Sequence, residues 1–219
     1  PEDDPKRIFS LTEKSINFMK ERVAAEKPFY LQLSHYANHI WHDSLKGTRE
    51  KYKKLPKGKK YEKKDGMPDE EIPIAMYNHG WIINYAAMLD DVDRAFGTLL
   101  DAIDELGIEE ETYVIFTSDN GGGFRGNAPL KAGKGSLYEG GIRMPSFVRG
   151  PEVKGGSYCN IPVVQWDFLQ TFYDLEGGTD PLPKDLAGGI LRDIFQKGNK
   201  GRVKRNTQDL NFHFPCHTR

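Results

Sequence analysis

The stretch Tyr113-Val114-Ile115-Phe116-Thr117-Ser118-Asp119-Asn120-Gly121-Gly122 passes from an apolar run directly into an acid, an amide and two glycines. The apolar part predicts a strand, and the polar part predicts a loop at the carboxyl end of that strand. In open α/β sheets ligands bind at this end of the strands, and carboxylate and amide oxygens are ligands that hard cations prefer. Asp119 and Asn120 are therefore candidate metal ligands.

A long helix is predicted before this strand. Its apolar side chains recur at intervals of three and four residues: Tyr85, Met88, Val92, Phe96, Leu99, Ile103 and Leu106. Such spacing gives one apolar face, which indicates packing against a core. Gly107 follows at the position where a helix commonly ends in a left-handed residue. We expect the helix to begin between residues 79 and 83.

An earlier helix–strand unit precedes this one. Ser10-Leu11-Thr12-Glu13 has the form of a capping box and predicts a helix from about residue 11 to 25. After Pro28 comes Phe29–Leu33, a short apolar run typical of a buried parallel strand. Repeated helix–strand alternation predicts an α/β fold with a layered, mainly parallel sheet flanked by helices.

The composition favours a globular chain. The 219 residues carry a formal net charge of −1, which gives no reason to expect a nucleic-acid partner, and no apolar run is long enough to span a bilayer. The only cysteines are Cys159 and Cys216, too few for a disulfide framework or a zinc site, although a single bridge stays open. A helix over 163–175 ends at two glycines, after which the apolar rhythm is lost. We therefore expect one domain over 1–178 and the beginning of a small C-terminal subdomain over 179–219.

Two further segments carry candidate functional groups. Three histidines, His35, His39 and His42, follow the first predicted strand; they are ordinary loop histidines or serve a metal or a proton transfer, and position favours His39 or His35. From Lys46 to Lys64 there are ten basic residues against two acidic ones. This run predicts a solvated, mobile loop or a surface for a sulfated or phosphorylated polymer.

Glycines flank Lys134 in Gly133-Lys134-Gly135, so that backbone and ammonium can approach a ligand closely. The spacing does not fit a phosphate-binding P-loop. That motif needs a glycine where Ala128 stands and a hydroxyl residue in place of Gly135.

Together these blocks resemble the sulfatase family of the alkaline phosphatase superfamily, in its middle and C-terminal portion. The matching blocks are Lys27–Leu31 leading to Tyr36-x-x-His39, Tyr85–Met88 leading to Asp90–Asp93, Thr117–Gly122, Pro129–Gly135, Tyr138–Pro145 and Phe212–Pro215. The resemblance implies that residues 1–178 are part of a sulfatase catalytic domain. It also implies a sulfuric ester hydrolase acting on a sulfated small molecule or sulfated glycan, in an extracytoplasmic location (periplasmic, secreted or lysosomal).

The resemblance also implies residue roles. Asp119 and Asn120 would be two ligands of one divalent cation, usually calcium (Ca2+) in this family. Lys134 would hold a sulfate oxygen, and His39 would contact the sulfate or its bridging oxygen and help the alcohol to leave. Two residues after this histidine the family usually has Pro, whereas this chain has Trp41.

One expected part is missing. Sulfatases use a formylglycine made from Cys or Ser within Cys/Ser-x-Pro-x-Arg, together with two further acidic metal ligands near the start of the domain. Neither Cys159 nor Cys216 lies in such a motif. We therefore expect an N-terminal segment or a second chain to supply these groups, and we expect this chain alone to be inactive.

Two alternatives stay open at this stage. A phosphodiesterase or phosphotransferase of the same superfamily would use a Thr or Ser nucleophile and a two-metal site. The Gly133-Lys134-Gly135 block favours a sulfatase over that enzyme. A non-catalytic fragment would instead bind an anionic glycan through the basic run Lys46–Lys64.

Overall fold

A computed structural model describes residues 3–54, 79–123 and 127–213. The chain forms two compact units, Pro1–Ile108 and Glu109–Arg219. The first contains helices α1 (Ile8–Ala24), α2 (Lys46–Lys53) and α3 (His79–Glu105). The second contains β1 (Val114–Phe116), α4 (Glu139–Ile142), β2 (Phe147–Arg149), α5 (Asp167–Leu175) and α6 (Arg192–Lys197). Single 3₁₀ turns cover Pro5–Arg7, Glu109–Glu111 and Gly198–Lys200.

The first unit is built on the contact between α1 and α3. Ile8 of α1 and Met88 and Ala95 of α3 are buried in one cluster. The long helix predicted from the apolar spacing is confirmed, and Gly107 adopts the expected left-handed backbone with φ of 67°. The predicted start of α1 was wrong, because the capping box does not cap it. Asp4 Oδ1 instead accepts the backbone N–H of Phe9 at 3.0 Å, and the helix begins at Ile8.

A buried carboxylate fastens α2 to α3. Asp91 is fully buried, and its two oxygens accept the Leu45 backbone N–H at 2.7 Å and the Thr48 hydroxyl at 2.6 Å. The Arg94 guanidinium lies 3.5 Å from the same carboxylate. Because these bonds hold the first turn of α2, Lys46–Lys53 is helical and not the mobile loop predicted from its charge. The rest of the basic run lies outside the described residues.

The described residues contain one strand pair of the expected sheet. Within the described ranges the strand pair is β1 with β2, and it is antiparallel, with Ile115 opposite Val148. Residues 29–37 alternate between half-buried and exposed, as an extended segment does, but they form no ladder with another described segment. A parallel ladder needs a neighbouring strand, which the apolar run by itself does not provide.

The core of the second unit joins residues on both sides of position 178. Leu191, Ile194, Phe195 and Val203 form a buried cluster. Partly buried residues that pack against it are Tyr113, Ile115, Val148, Val153, Ile161, Val163, Phe168 and Leu175. The division into a domain and a subdomain at residue 178 stays a prediction. Cys159 is exposed and forms no disulfide with a described residue; Cys216 lies outside the described residues, so the single bridge stays open.

A buried ion pair ties this unit together. Arg205 donates from Nε and Nη2 to the two oxygens of Asp167, at 2.8 and 2.6 Å, and both side chains are shielded from solvent. The same carboxylate accepts the backbone N–H groups of Val164 at 2.9 Å and Gly189 at 2.8 Å. Asp167 thereby closes the turn before α5. For this reason the helix begins at residue 167. The start at residue 163 predicted from the sequence was wrong.

We predict that Arg205→Ala lowers the free energy of unfolding of the second unit by about 3–5 kcal/mol, because it leaves the Asp167 carboxylate buried without its cation. Chemical denaturation followed by circular dichroism measures the change. The matched control is Arg202→Ala. Because this side chain is exposed, the substitution should change the free energy of unfolding by less than about 0.5 kcal/mol. Equal effects of the two substitutions would contradict the assignment of Asp167–Arg205 as the anchor.

Candidate active site

The loop after β1 is held at its start by two side chains. The hydroxyls of Thr117 and Ser146 lie 3.0 Å apart, which links the ends of β1 and β2. Gln165, just before α5, donates from Nε2 to the backbone carbonyl of Ser118 at 3.0 Å. The backbone that enters Asp119 is therefore fixed from two sides.

Asp119 and Asn120 present oxygen atoms at the end of this strand. The Asp119 side chain is exposed, and its Oδ1 lies 3.4 Å from the Ser118 hydroxyl. The half-buried Asn120 donates from Nδ2 to the Gly121 carbonyl at 2.7 Å. Because its nitrogen is used in this way, the amide oxygen of Asn120 is left to accept from a ligand or to bind a cation.

Close backbone contacts join this loop to the segment around Lys134. Gly121 N donates to Gly141 O at 2.9 Å, and Lys134 N donates to Gly122 O at 2.8 Å. A Cβ atom at Gly121 would overlap the carbonyl oxygen of Gly140. Glycine is needed here for close backbone approach, since no side chain fits between the two loops.

Asn127 clamps the same loops, and sequence reasoning missed it. Its Nδ2 faces three backbone carbonyls, those of Gly140 at 2.9 Å, Gly122 at 3.0 Å and Ala132 at 3.3 Å. The residue stands before Ala128-Pro129 in a Gly- and Pro-rich segment, where an asparagine is usually a turn residue. The one feature of the sequence that could have identified Asn127 is its place in the glycine-rich block that carries Lys134.

Two lysines of this block are placed differently. Lys131 Nζ lies 3.9 Å from the centre of the Tyr138 ring, in a cation–π contact. The exposed Lys134 is fixed through its backbone, and its ammonium forms no ion pair with any other part of the chain that the structure describes. The ammonium of Lys134 is thus available for an anionic ligand.

His39 belongs to the first unit, so its closeness to Asp119, Asn120 and Lys134 stays a prediction. It ends a turn in which its backbone N–H donates to Tyr36 O at 3.3 Å, with Asn38 at φ of 74°. The exposed ring has Nδ1 at 3.2 Å from the carbonyl of Ile40. A carbonyl only accepts, so Nδ1 carries the hydrogen and Nε2 is the atom available to a ligand.

The other two histidines of this segment are less accessible. Burial lowers the pKa of His35. Burial, together with the Lys6 ammonium, lowers the pKa of His42, whose ring packs edge-on to Tyr85 with 5.0 Å between ring centres. Both environments favour the neutral imidazole, as expected for structural histidines. Among the three, His39 is the one exposed to solvent.

The charges of the site suit an anion next to a cation. Asp119 and Asn120 provide two hard oxygens, and Lys134 provides a positive charge on the adjoining segment. Within the described ranges, no group of three or more His, Cys, Asp or Glu side chains is placed to hold a metal ion. Ca2+ usually takes six to eight oxygen ligands, so these two residues would supply only part of the ligands of such a cation.

Comparison with known proteins decides the family. The sulfatase family model matches residues 9–178, most of the chain. The chain belongs to the sulfatase family. A sulfatase from Formosa agariphila is 28% identical over 229 residues, covering 98% of this chain and 38% of that protein. Human arylsulfatase A is 41% identical over 110 residues, which cover 47% of this chain and 21% of that enzyme.

Solved structures agree with this assignment. The crystal structure of Ps i-CgsB in complex with k-i-k-neocarrahexaose matches with a TM-score of 0.68 and 28% identity, covering 87% of this chain and 38% of that one. This likeness confirms the predicted α/β sulfatase fold. The sulfatase chain thus spans well under half the length of the relatives that it matches. None of its described helices is long and apolar enough to cross a membrane.

We predict that Gly121→Ala destabilises the second unit by about 1–3 kcal/mol, because its methyl group would overlap backbone that cannot move aside cheaply. The matched control is Gly123→Ala, where a Cβ meets nothing within 4 Å. Denaturant unfolding measures stability, and amide hydrogen exchange at Gly121 and Lys134 reports the loop contact itself. Unchanged exchange in Gly121→Ala would show that the two loops are not locked by these glycines.

Proposed function

We propose that this chain supplies the cation-binding and sulfate-binding side of a sulfatase active site. In the complete enzyme a sulfate ester and water give an alcohol and hydrogen sulfate. The observation that carries the proposal is the glycine-rich junction clamped by Asn127, which fixes the backbone of Asp119–Gly122 to that of Lys134. Family membership supports sulfate ester hydrolysis as the reaction.

The residues present fit a divalent cation of the calcium type. Asp119 is an exposed carboxylate, and the amide of Asn120 is turned so that its oxygen is available. Both are hard oxygen donors of the kind that Ca2+ prefers. When bound, the cation would neutralise negative charge on the sulfate oxygens; further ligands would be water or residues other than these two.

Lys134 and His39 have separate roles in this proposal. The ammonium of Lys134 holds a nonbridging sulfate oxygen and offsets the charge that develops as sulfuryl transfer proceeds. His39, with its Nδ1–H bound to the Ile40 carbonyl, directs Nε2 toward the bridging oxygen and gives a proton to the leaving alcohol. This role requires His39 to be protonated before the ester bond breaks.

This proposal needs a nucleophile from outside these residues. The 219 residues contain no Cys/Ser-x-Pro-x-Arg motif from which formylglycine is made. We propose that an additional N-terminal segment or a second chain supplies the nucleophile and the remaining acidic ligands. These residues alone would then bind the cation and sulfate weakly and show no turnover.

The alternatives are weaker. A phosphodiesterase or phosphotransferase of the same superfamily has no observation here in its favour. A purely glycan-binding fragment would depend on the basic run Lys46–Lys64. Two of its described lysines, Lys51 and Lys53, already pair with Asp90 at 2.5 Å and Glu50 at 2.6 Å.

We further propose a sulfated glycan as substrate and an extracytoplasmic location. The first follows from a relative, since Ps i-CgsB was solved with k-i-k-neocarrahexaose, an oligosaccharide. The location rests on resemblance to the family alone.

We predict that Lys134→Ala lowers kcat of the complete protein on 4-methylumbelliferyl sulfate by about 10²–10³, because one fixed charge on the transferring group is lost. The fluorescent product measures turnover, and the control is Lys154→Ala, an exposed lysine outside the site. If the complete wild-type protein releases no product from this ester or from a sulfated oligosaccharide, the proposed function is wrong.

Asp119→Ala should abolish Ca2+ binding by the complete protein, since it removes the charged ligand of the pair. Isothermal titration calorimetry with CaCl2 measures this, and Asp185→Ala, an exposed acid without an assigned role, is the control. Undiminished Ca2+ binding by Asp119→Ala would remove this residue from the cation site. Circular dichroism spectra of the two variants should match the wild type.

A further inference from the structure

Three large apolar side chains beside His39 face solvent. Tyr36 is 72% exposed, Ile40 is 56% exposed and Trp41 is 85% exposed, all within six residues. Single exposed apolar residues are ordinary, but a group of them, two of which are aromatic, marks an interaction surface. We name Tyr36, Ile40 and Trp41 the aromatic turn.

The aromatic turn is presented by a loop whose base is fixed. Ala37 packs against the buried cluster between α1 and α3. On the other side, His42 packs edge-on against Tyr85 of α3. The hydrogen bond from His39 N to Tyr36 O closes the turn between them. A ligand that binds there loses little affinity to ordering of the loop, because the backbone already has its shape.

A positive charge stands next to the rings. The ammonium of the half-buried Lys6 donates to the carbonyl of Ile40 at 3.3 Å, in a hydrogen bond that is exposed to solvent. Asp43, the next acid along the loop, uses Oδ1 to accept the Ser44 backbone N–H at 3.0 Å. An aromatic surface with an ammonium at its edge is complementary to a ligand that has a flat apolar face and an anionic substituent.

We propose that Tyr36, Trp41 and Lys6 form a subsite that binds a pyranose ring of a sulfated glycan next to the ring whose sulfate is cleaved. The C–H face of a sugar lies against the electron-rich face of an aromatic ring, while its hydroxyls stay in water. Lys6 binds a second sulfate group. A simple aryl sulfate has no second ring to occupy this subsite and no second sulfate for Lys6, so the subsite favours a polysulfated glycan.

This inference rests on the proposed function, because it places the subsite beside His39. Its test compares kcat/KM of the complete protein on k-i-k-neocarrahexaose with kcat/KM on 4-methylumbelliferyl sulfate. Trp41→Ala should lower the ratio of hexasaccharide to aryl sulfate about tenfold, whereas Trp41→Phe, which keeps an aromatic face, should restore most of it. Tyr158→Ala, an 89% exposed tyrosine of the second unit, is the control and should leave the ratio unchanged.

Lys6→Met tests the charge. It should weaken calorimetric binding of the sulfated hexasaccharide severalfold and leave binding of the chemically desulfated hexasaccharide unaltered. Equal loss on both sugars would overturn the role of Lys6, and an unchanged substrate ratio in Trp41→Ala would overturn the subsite. If Trp41→Ala instead abolishes self-association in analytical ultracentrifugation without changing sugar binding, the aromatic turn is a contact between copies and the proposal is wrong.

The binding measurement separates the two proposals. It does not need turnover, so it distinguishes failure of the subsite from failure of the enzyme. Loss of hexasaccharide binding in Trp41→Ala with no sulfatase activity in the wild type would support the subsite and refute the reaction. Full activity with unaltered hexasaccharide binding in Trp41→Ala would support the reaction and refute the subsite.

Discussion

The candidate site depends on the amide nitrogen of Asn127. This one group faces the carbonyls of Gly122, Ala132 and Gly140, which belong to three separate stretches of backbone. Carbonyls brought together in this way repel one another unless a donor stands between them, so the amide makes the junction possible. The glycines at 121, 140 and 141 complete it because any Cβ there would meet backbone. This junction therefore holds the loop that carries Asp119 against the loop that carries Lys134, and these loops carry two parts of the candidate site.

Buried carboxylates play the corresponding part in each unit. Asp91 accepts from the start of α2, and Asp167 accepts from the backbone on both sides of α5 and from Arg205. Each carboxylate accepts hydrogen bonds from groups that lie far from it in sequence. The packing of these distant segments therefore depends on one charged side chain. Asp167 also fixes the turn that contains Gln165, and Gln165 donates to the loop that leads into Asp119. Stability of the core and placement of the candidate ligands are therefore coupled in the second unit.

Much of the candidate site could be proposed from the sequence, because its pattern is local. A strand ending in Asp119-Asn120-Gly121-Gly122 and a lysine between glycines are short patterns whose chemistry lies in neighbouring residues. The same holds for α3, whose apolar spacing and terminal Gly107 predicted its bounds well. Predictions failed where a partner outside the local pattern decides. Asp4, which precedes the capping-box pattern, accepts the first N–H groups of α1. Asp91, far along the chain, makes a helix of residues that charge alone describes as a loop. Asn127 and Arg205 were missed because their importance is set by the partners they meet in the fold.

By itself, the sequence determined the family and identified the candidate site residues: two possible oxygen ligands, a lysine between glycines and a histidine at the end of a short apolar run. These follow from residue types and spacing, which the chain carries whether folded or not. The tertiary structure alone decided which lysine contacts the Tyr138 ring and which histidines are half-buried. It also decided that Trp41 stands exposed beside His39, where the family usually has a proline two residues after this histidine. The solvent exposure of a side chain and its contact partners are set only when separate segments pack, because both depend on atoms from other parts of the chain.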